Sequence, residues 1–285
     1  MKKIIDISHH HPVKSWDKLV KQSEFLITKA TEGTKYVDPT LKSFIKECER
    51  RHVYYWLYTF LKDGNEVAQT KFMVNTCKPL VGKYFMGYIL DIESHNKEAN
   101  CVEALKYLKK ESKKTMIYTM YGEYDKYKNL IKNRGTSCAW WEARYGKNNG
   151  FDTSKEYPCH SGVDLHQYTS EGKIDGLEGS IDLSKLNGNK KMSFFKEVTK
   201  KTYSGSFPTL PSRKYFMIGD KGDEVKKLQK FLIWAGFSVG ESGSDGIYGK
   251  DTSNAVLKYK KSVGLDPNDG NFGVKCLEKA KTLKR

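Results

Sequence analysis

The first two hundred residues alternate between short apolar segments and longer amphipathic ones. Segments of four to eight residues rich in β-branched and aromatic side chains predict β-strands. Eight such strands are predicted, at residues 4–8, 25–31, 53–60, 86–93, 115–120, 138–145, 164–169 and 180–184. Amphipathic stretches separate the first six strands and predict helices, because their apolar positions recur at i, i+3, i+4 and i+7. One example comprises Leu41, Phe44, Ile45 and Cys48.

Five strand–helix units followed by three strands indicate an α/β fold. The fold predicted is an irregular (β/α)5β3 TIM-like barrel, parallel at first and antiparallel at its end. Residues 146–163 are polar and rich in Gly, Asn and Ser, and a Gly-containing stretch between the last two strands predicts a hairpin. An open doubly wound sheet is the alternative. The barrel is favoured because the last strands arrive without crossover helices.

The pattern changes after the barrel and predicts a second domain. Residues 201–217 contain Gly, Ser and Pro and are predicted to be a linker between domain 1–200 and domain 218–285. In the last domain, apolar positions predict three helices, and the turn sequence DGIYG at 245–249 recurs as DGNFG at 269–273. We therefore expect a small three-helix domain, which shows no set of residues typical of catalysis.

Acidic residues stand on three of the predicted strands. Asp91 and Glu93 end the fourth strand, where the strand period of two points both side chains to one side. Asp6 lies on the first strand and Asp182 on the eighth, and these strands become neighbours when the barrel closes. The carboxyl ends of barrel strands form the mouth where barrel chemistry occurs. Like charges in a partly dry mouth raise the proton affinity of one carboxylate, and glycoside hydrolysis needs a protonated acid beside an ionised one.

The chain carries a net charge of +16, from 50 basic and 34 acidic side chains. Such a surface attracts polyanions, whether nucleic acid, anionic membrane or anionic wall polymer. The six cysteines show no metal-binding spacing, and neither a signal-peptide core nor a membrane-length apolar segment is present. We therefore expect synthesis in the cytoplasm, reduced thiols and no stable membrane association. Adjacent side chains of His9, His10 and His11 point apart in an extended loop, so no metal and no cofactor is expected.

Six motifs follow one another over roughly residues 4–190. They are Asp6-Ile7-Ser8-His9-His10, Lys29-Ala30-Thr31-Glu32-Gly33, Asp91-Ile92-Glu93, Trp141-Glu142-Ala143-Arg144-Tyr145, His166-Gln167-Tyr168 and Ile181-Asp182-Leu183. Their content and order resemble family 25 glycoside hydrolases, the muramidase-type lysozymes common among phage endolysins. The resemblance implies a barrel of five βα units and three further strands. It also implies hydrolysis of the β-1,4 bond between N-acetylmuramic acid and N-acetylglucosamine in peptidoglycan.

The resemblance further implies roles for individual residues. Glu93 is the expected general acid/base, and Asp91 is expected to orient the substrate's 2-acetamido group or to stabilise the cation. Asp6 and Asp182 are expected to support charge and position in the mouth. Seven residues are predicted to bind substrate: Lys29, Glu32, Tyr55, Tyr118, Trp141, Tyr145 and Gln167. Each aromatic member is a candidate either to stack on the glycan or to serve in packing. Lys29 is a candidate to neutralise the acids or to contact substrate, and Glu32 is equally a candidate for that internal pairing.

The last seventy residues resemble the three-helix type of peptidoglycan-binding domain, through Gly219-Asp220-Lys221-Gly222, Asp245-Gly246-Ile247-Tyr248-Gly249 and Asp269-Gly270. The implied partner is peptidoglycan, and the basic charge adds anionic wall polymers. The preferred interpretation is an endolysin-type muramidase that reaches the wall through a host lysis pore or by non-classical secretion. A catalytically inactive wall-binding protein is the alternative, against which the intact acid set argues. Nucleic-acid binding is motivated by charge alone and is not expected.

Overall fold

The computed structural model describes residues 2–188, 190–197 and 202–284. The chain divides into two compact units, Met1–Val198 and Thr199–Arg285. Within the described residues the six cysteines are all free thiols, and five of them are buried. Among those same residues, no helix has the length and apolar character that crossing a membrane requires.

The first unit alternates strands and helices as far as its seventh strand. Its strands are β1 (Lys3–Ile7), β2 (Ser23–Glu32), β3 (Tyr36–Val37), β4 (Tyr55–Phe60), β5 (Phe85–Ile92), β6 (Thr115–Met120), β7 (Cys138–Ala143), β8 (Leu165–Gly172) and β9 (Ile181–Leu186). Its helices are α1 (Trp16–Gln22), α2 (Leu41–Arg51), α3 (Glu66–Cys77), α4 (Glu98–Glu111), α5 (Lys128–Lys132) and α6 (Met192–Phe195). These bounds confirm the predicted order of five strand–helix units and three further strands.

Within the described residues, eight strands close into a barrel in the order β1-β9-β8-β7-β6-β5-β4-β2, and β1 pairs with both β2 and β9. This closure excludes the open doubly wound sheet. The strands from β1 to β8 run parallel, except that the two-residue β3 pairs antiparallel with β2. The hairpin strand β9 runs antiparallel to β8 and β1. The predicted change from parallel to antiparallel pairing is therefore confirmed.

Side chains alternate between two apolar layers because successive residues of a strand face opposite sides. Outward residues such as Ile5 and Leu57 pack against the helices, whereas inward residues such as Ile27, Ile89 and Ala139 fill the barrel. Helix α6 closes the barrel near the N-terminal ends of the strands. There the ring of Phe195 stacks on the ring of Phe25, with centroids 5.7 Å apart. The main-chain oxygen of Phe195 accepts a hydrogen bond from the indole N–H of Trp56 at 2.8 Å. The open mouth is therefore at the opposite end.

The second unit contains, within its described residues, three helices and a short antiparallel strand pair. The elements are β10 (Tyr215–Phe216), α7 (Asp223–Trp234), α8 (Lys250–Ser262), β11 (Phe272–Gly273) and α9 (Val274–Thr282). The two copies of the turn sequence meet, since the Tyr248 hydroxyl donates to the main-chain oxygen of Gly270 at 2.6 Å. The three-helix prediction is confirmed.

The predicted linker contributes to the second unit instead of standing apart from it. Tyr203, Phe207 and Leu210 pack against the core of that unit. Phe216 is buried in the same core, and its strand β10 pairs with β11. The folded second unit therefore begins earlier than residue 218. Residues 198–201 lie outside the described part of the chain.

Candidate active site

Four carboxyl groups from three strands line one cavity of about 120 Å³. Asp6 on β1 stands directly opposite Asp182 on β9 in the antiparallel register. Asp91 belongs to β5, and Glu93 follows the last residue of that strand. As predicted, Asp6, Asp91, Glu93 and Asp182 converge on one site in the structure.

Strand geometry explains why these acids meet. Asp91 and Glu93 share the parity of the inward-facing Ile89, and Asp6 shares that of Ile4. Asp182 is the second residue of β9. Because β9 runs antiparallel to β1, its beginning lies at the same end of the barrel as the end of β1. All four carboxyl groups therefore lie at the mouth formed by the carboxyl ends of the parallel strands.

Burial and mutual repulsion favour the protonated forms of these acids. Asp6 is 8% exposed and Asp91 7% exposed. Burial raises the pKa of Asp6 well above its usual range, and the carboxyls of Asp182 and Asp91 raise it further. Burial also raises the pKa of Asp91 well above its usual range, with Glu93 adding to the rise and Lys29 opposing it. The two aspartates therefore retain protons more readily than exposed carboxyls.

The other two acids are also shifted but have more contact with solvent. Burial raises the pKa of Asp182 to about 6, with Glu93 as the next cause. Partial desolvation raises the pKa of Glu93, and Lys29 opposes this rise. Glu93 stands at the exposed rim of the cavity. Because neighbouring carboxyls raise one another's pKa, the four groups lose their protons in separate steps, and the cavity favours a mixture of protonated and ionised acids. Acid-assisted cleavage of a glycosidic bond requires this combination.

A short ion-pair chain lies beside the acids. The Lys29 ammonium pairs with the Glu32 carboxylate, which also pairs with Lys62 at 2.9 Å. The register of β2 against β4 shifts between Lys29 and Thr31. This bulge lets Lys29 and Glu32 share a face although they are three residues apart, a spacing that would otherwise place them on opposite faces. The predicted pairing of these two residues is present.

Aromatic and amide side chains form the wall of the cavity. The hydroxyls of Tyr118 and Tyr145 donate to the side-chain oxygen of Gln167 at 2.8 and 3.1 Å. The Trp141 indole N–H donates to the Ser184 hydroxyl at 3.1 Å, and its ring meets Tyr118 edge to face with centroids 4.5 Å apart. Tyr118 and Trp141 are almost fully buried, so they shape the wall, and the half-buried Tyr145 offers more surface to a sugar.

The prediction that Tyr55 contacts substrate is wrong. Tyr55 is fully buried on the outward face of β4, where its ring meets Phe44 of α2 edge to face and its hydroxyl donates to Glu49 at 2.9 Å. The residue of β4 that lines the cavity is Tyr58. Both faces of a barrel strand are apolar, so the sequence of β4 does not distinguish its two faces. Tyr58 is identified by its pairing with Ile89 of β5. This pairing is seen in the structure and cannot be read from the sequence of β4 alone.

The prediction that the side chains of the adjacent histidines point apart is wrong for His9 and His10, whose ring centroids lie 3.7 Å apart. His9 Nδ1 lies 2.9 Å from Asp38 Oδ2, and His11 Nδ1 accepts the main-chain N–H of Ser8 at 3.1 Å. In the part of the chain that the structure describes, no group of three or more His, Cys, Asp or Glu residues is arranged to hold a metal ion.

Comparison with known proteins adds to this geometry. Residues 5–177 match the family "Glycosyl hydrolases family 25", and residues 221–279 match the family "Putative peptidoglycan binding domain". The catalytic domain of endolysin ply40 from bacteriophage P40 of Listeria monocytogenes has the same fold. It superposes with a TM-score of 0.56 at 24% identity, covering 65% of this chain and 93% of that domain.

Two relatives are similar in sequence. An autolytic lysozyme from Clostridium acetobutylicum is 26% identical over 260 residues, which are 86% of this chain and 69% of that protein. The N-acetylmuramoyl-L-alanine amidase CwlL from Bacillus licheniformis is 33% identical over 126 residues, 43% of this chain. The chain spans 35% of the length of that amidase.

The first family covers more than half of the chain and contains three of the four acids at the barrel mouth, Asp6, Asp91 and Glu93. The fourth, Asp182, lies on the strand that closes the same barrel. The protein therefore belongs to glycosyl hydrolase family 25.

Proposed function

We propose that this protein is a muramidase of the endolysin type, which hydrolyses the β-1,4 bond between N-acetylmuramic acid and N-acetylglucosamine in peptidoglycan. We also propose that its second unit binds the cell wall, which the match of residues 221–279 to the family "Putative peptidoglycan binding domain" supports. The observation that carries the proposal is the convergence of Asp6, Asp91, Glu93 and Asp182 on one cavity. The cluster does not stabilise the fold, because burying unpaired like charges costs several kcal/mol of folding free energy. The membership of family 25 supports a glycosidic bond as the target.

In the proposed reaction Glu93 is the general acid/base. Its position at the rim lets it reach the leaving oxygen of a glycan bound across the mouth, and its raised pKa favours the protonated form that the first step needs. Asp91 lies deeper and next to the same strand end. Burial raises the pKa of Asp91, and Lys29 opposes this rise. In the proposed reaction Asp91 stabilises the positive charge that develops on the sugar or orients the 2-acetamido group.

Asp6 and Asp182 complete the charge distribution. They stand opposite each other in the strand register, where facing side chains are about 5 Å apart at Cβ. Two carboxyls at this separation share protons, because ionising both places like charges together. The pair therefore holds the mouth at an intermediate charge and contacts the sugar through protonated and ionised oxygens.

The test is the chemistry of the products released from purified peptidoglycan. The wild-type protein is expected to release reducing sugar, and mass spectrometry of the muropeptides is expected to show N-acetylmuramic acid at the new reducing ends. Glu93→Gln should lower the rate by at least about a hundredfold. Glu103→Gln is the matched control, since Glu103 is 60% exposed on α4.

Two results would contradict the proposal. Glu93→Gln could retain wild-type activity, which would remove the proposed acid from the mechanism. The wild-type protein could instead release free L-alanine amino groups without reducing sugar. That second outcome would favour amide hydrolysis, the activity named in the related protein CwlL.

A further inference from the structure

The second unit contains an open groove of about 590 Å³. The groove lies between the C-terminal end of α8, the loop after it and the first turn of α9, with β10 at its edge. Three apolar side chains line it: Tyr215, Leu265 and Val274. Tyr215 is 37% exposed and Val274 44% exposed. The groove therefore offers apolar surface that a ligand would remove from water.

Charged groups of both signs line the same groove. Lys260 and Lys275 supply the positive charges, and Asp266 and Asp269 supply the negative ones. The Lys260 side chain is only 10% exposed. Its ammonium donates to the main-chain oxygen of Asp269 at 3.0 Å and to Oδ1 of the same residue at 2.6 Å. These bonds use two of the three donors of an ammonium group, and they fix the loop that forms one wall.

The groove is held in shape by the fold. Tyr215 pairs in strand register with Gly273, and the Tyr259 hydroxyl beneath the groove donates to the main-chain oxygen of Cys276 at 2.9 Å. The side chain of Asp269 also accepts the main-chain N–H of Asn271 at 2.9 Å. A preformed groove binds a ligand without the cost of ordering its own walls.

We propose that this groove binds the peptide stem of peptidoglycan. The proposal deepens the wall-binding function proposed for this unit and rests on it. A stem peptide combines carboxylates, a side-chain ammonium and alanine methyl groups on one short chain. These groups complement the two cations, two anions and apolar side chains of the groove. Lys260 and Asp269 already pair with each other. The glycan strand presents neutral hydroxyl and acetamido groups instead, and these offer no opposite charge to Lys275 and Asp266.

The test measures binding of the full chain to insoluble sacculi by co-sedimentation. Every protein in this assay carries Glu93→Gln, so that the sacculi are not cut. Lys275→Glu and Val274→Ser change the groove, and both substitutions suit the first turn of a helix. Lys258→Glu and Ile233→Ser are the matched controls. Lys258 lies exposed on α8, Ile233 is 45% exposed on α7, and neither lines the groove.

We expect each groove variant to raise the Kd for intact sacculi by about tenfold, as removal of a central contact does. The controls are expected to stay within about twofold, the range of surface contacts that contribute little. Soluble glycan strands, which an amidase releases from sacculi when it removes the stems, should not displace the protein from intact sacculi. The soluble tetrapeptide L-Ala-γ-D-Glu-L-Lys-D-Ala should displace the protein from intact sacculi.

Two results would overturn the assignment of the groove. The soluble stem-free glycan strands could displace the protein from intact sacculi while the tetrapeptide does not, which would identify the glycan as the ligand. Lys275→Glu and Val274→Ser could bind as their controls do, which would place the site elsewhere. In both cases binding to sacculi survives, so the wall-binding function stands. Loss of all sacculus binding, even with the groove intact, would contradict that function itself.

Discussion

Tyr55 and Tyr58 lie on one strand but face opposite sides of it, and they provide a matched pair of substitutions. Tyr58 lines the cavity, and burial and the nearby carboxyls of Asp6 and Asp91 raise its pKa well above the usual range. Its hydroxyl therefore keeps its proton and is available to donate to a bound substrate. Tyr58→Phe should lower kcat by about ten- to a hundredfold with little loss of stability. Activity on purified peptidoglycan and urea unfolding check both parts.

Tyr55→Phe should have the opposite effect. It removes the hydroxyl that bonds to Glu49 on the outer face, so the free energy of unfolding should fall by about 1 kcal/mol. The activity per folded molecule should remain unchanged. If Tyr55→Phe lowered kcat while Tyr58→Phe did not, the assignment of the two faces of β4 would be reversed.

Asp182 is a residue whose charge opposes folding. Its folded-state pKa of about 6 lies above the value of an exposed aspartate. For a carboxyl with a raised pKa the folded state binds more protons, so stability is lost as the pH rises from about 4 towards 6. Asp182→Asn cannot ionise and should be more stable than wild type by about 1–2 kcal/mol at pH 7. The difference should shrink to about 0.5 kcal/mol at pH 4 and disappear below about pH 3.

The measurement for Asp182→Asn is urea unfolding followed by tryptophan fluorescence. Four of the five tryptophans lie in the barrel unit, so the signal reports mainly on that unit. Asp175→Asn is the control, because Asp175 is exposed. A stability gain that is the same at pH 4 and pH 7 would show that the effect of Asp182 is not electrostatic.

At the scale of elements, α6 has an effect larger than its four residues suggest. Phe195 is fully buried and closes the barrel against Phe25 and Trp56. Phe195→Ala should lower the free energy of unfolding by about 3–5 kcal/mol, because it leaves a cavity in a closed interior. Phe194→Ala removes a neighbouring ring that is only partly buried and should cost less than half as much. Equal losses for the two variants would argue against α6 as the closing element.

The strands and the acids were predictable from sequence because both depend on local patterns. Apolar segments of strand length predict β1 and β5, and the spacing of Asp91 and Glu93 places both on one face of any β-strand. The orientation of β4 depends on its neighbours. Its two faces differ little in hydrophobicity, so Tyr55 and Tyr58 can be distinguished only by the register with β5. The strand β3 is two residues long, too short to produce a periodic signal.

At the scale of the whole molecule, the segment before the second unit shows why composition alone misplaces a boundary. Gly, Ser and Pro in residues 203–214 are typical of a linker, and yet Tyr203, Phe207 and Leu210 pack on the core of the second unit. Three helices provide little apolar surface of their own, since small domains bury a smaller fraction of their surface. The additional aromatic side chains enlarge that core. Isolated aromatic residues have no periodicity, so their packing is not predictable from the sequence pattern.

The net charge of +16 is a property of the whole chain, and its effect should appear in wall binding. Walls that carry anionic polymers attract this protein over distances set by the ionic strength, because the Debye length falls from about 10 Å at 0.1 M to about 3 Å at 1 M salt.

Raising the salt from 0.05 to 0.5 M should weaken binding of the Glu93→Gln protein to such walls by about tenfold or more. Walls stripped of their anionic polymers should show a change of less than about threefold over the same range, since the groove contacts are short and partly screened from ions. Co-sedimentation at several salt concentrations measures both slopes. Equal slopes would mean that the positive charge does not act through wall polymers, and that the short-range contacts of the second unit account for wall attachment.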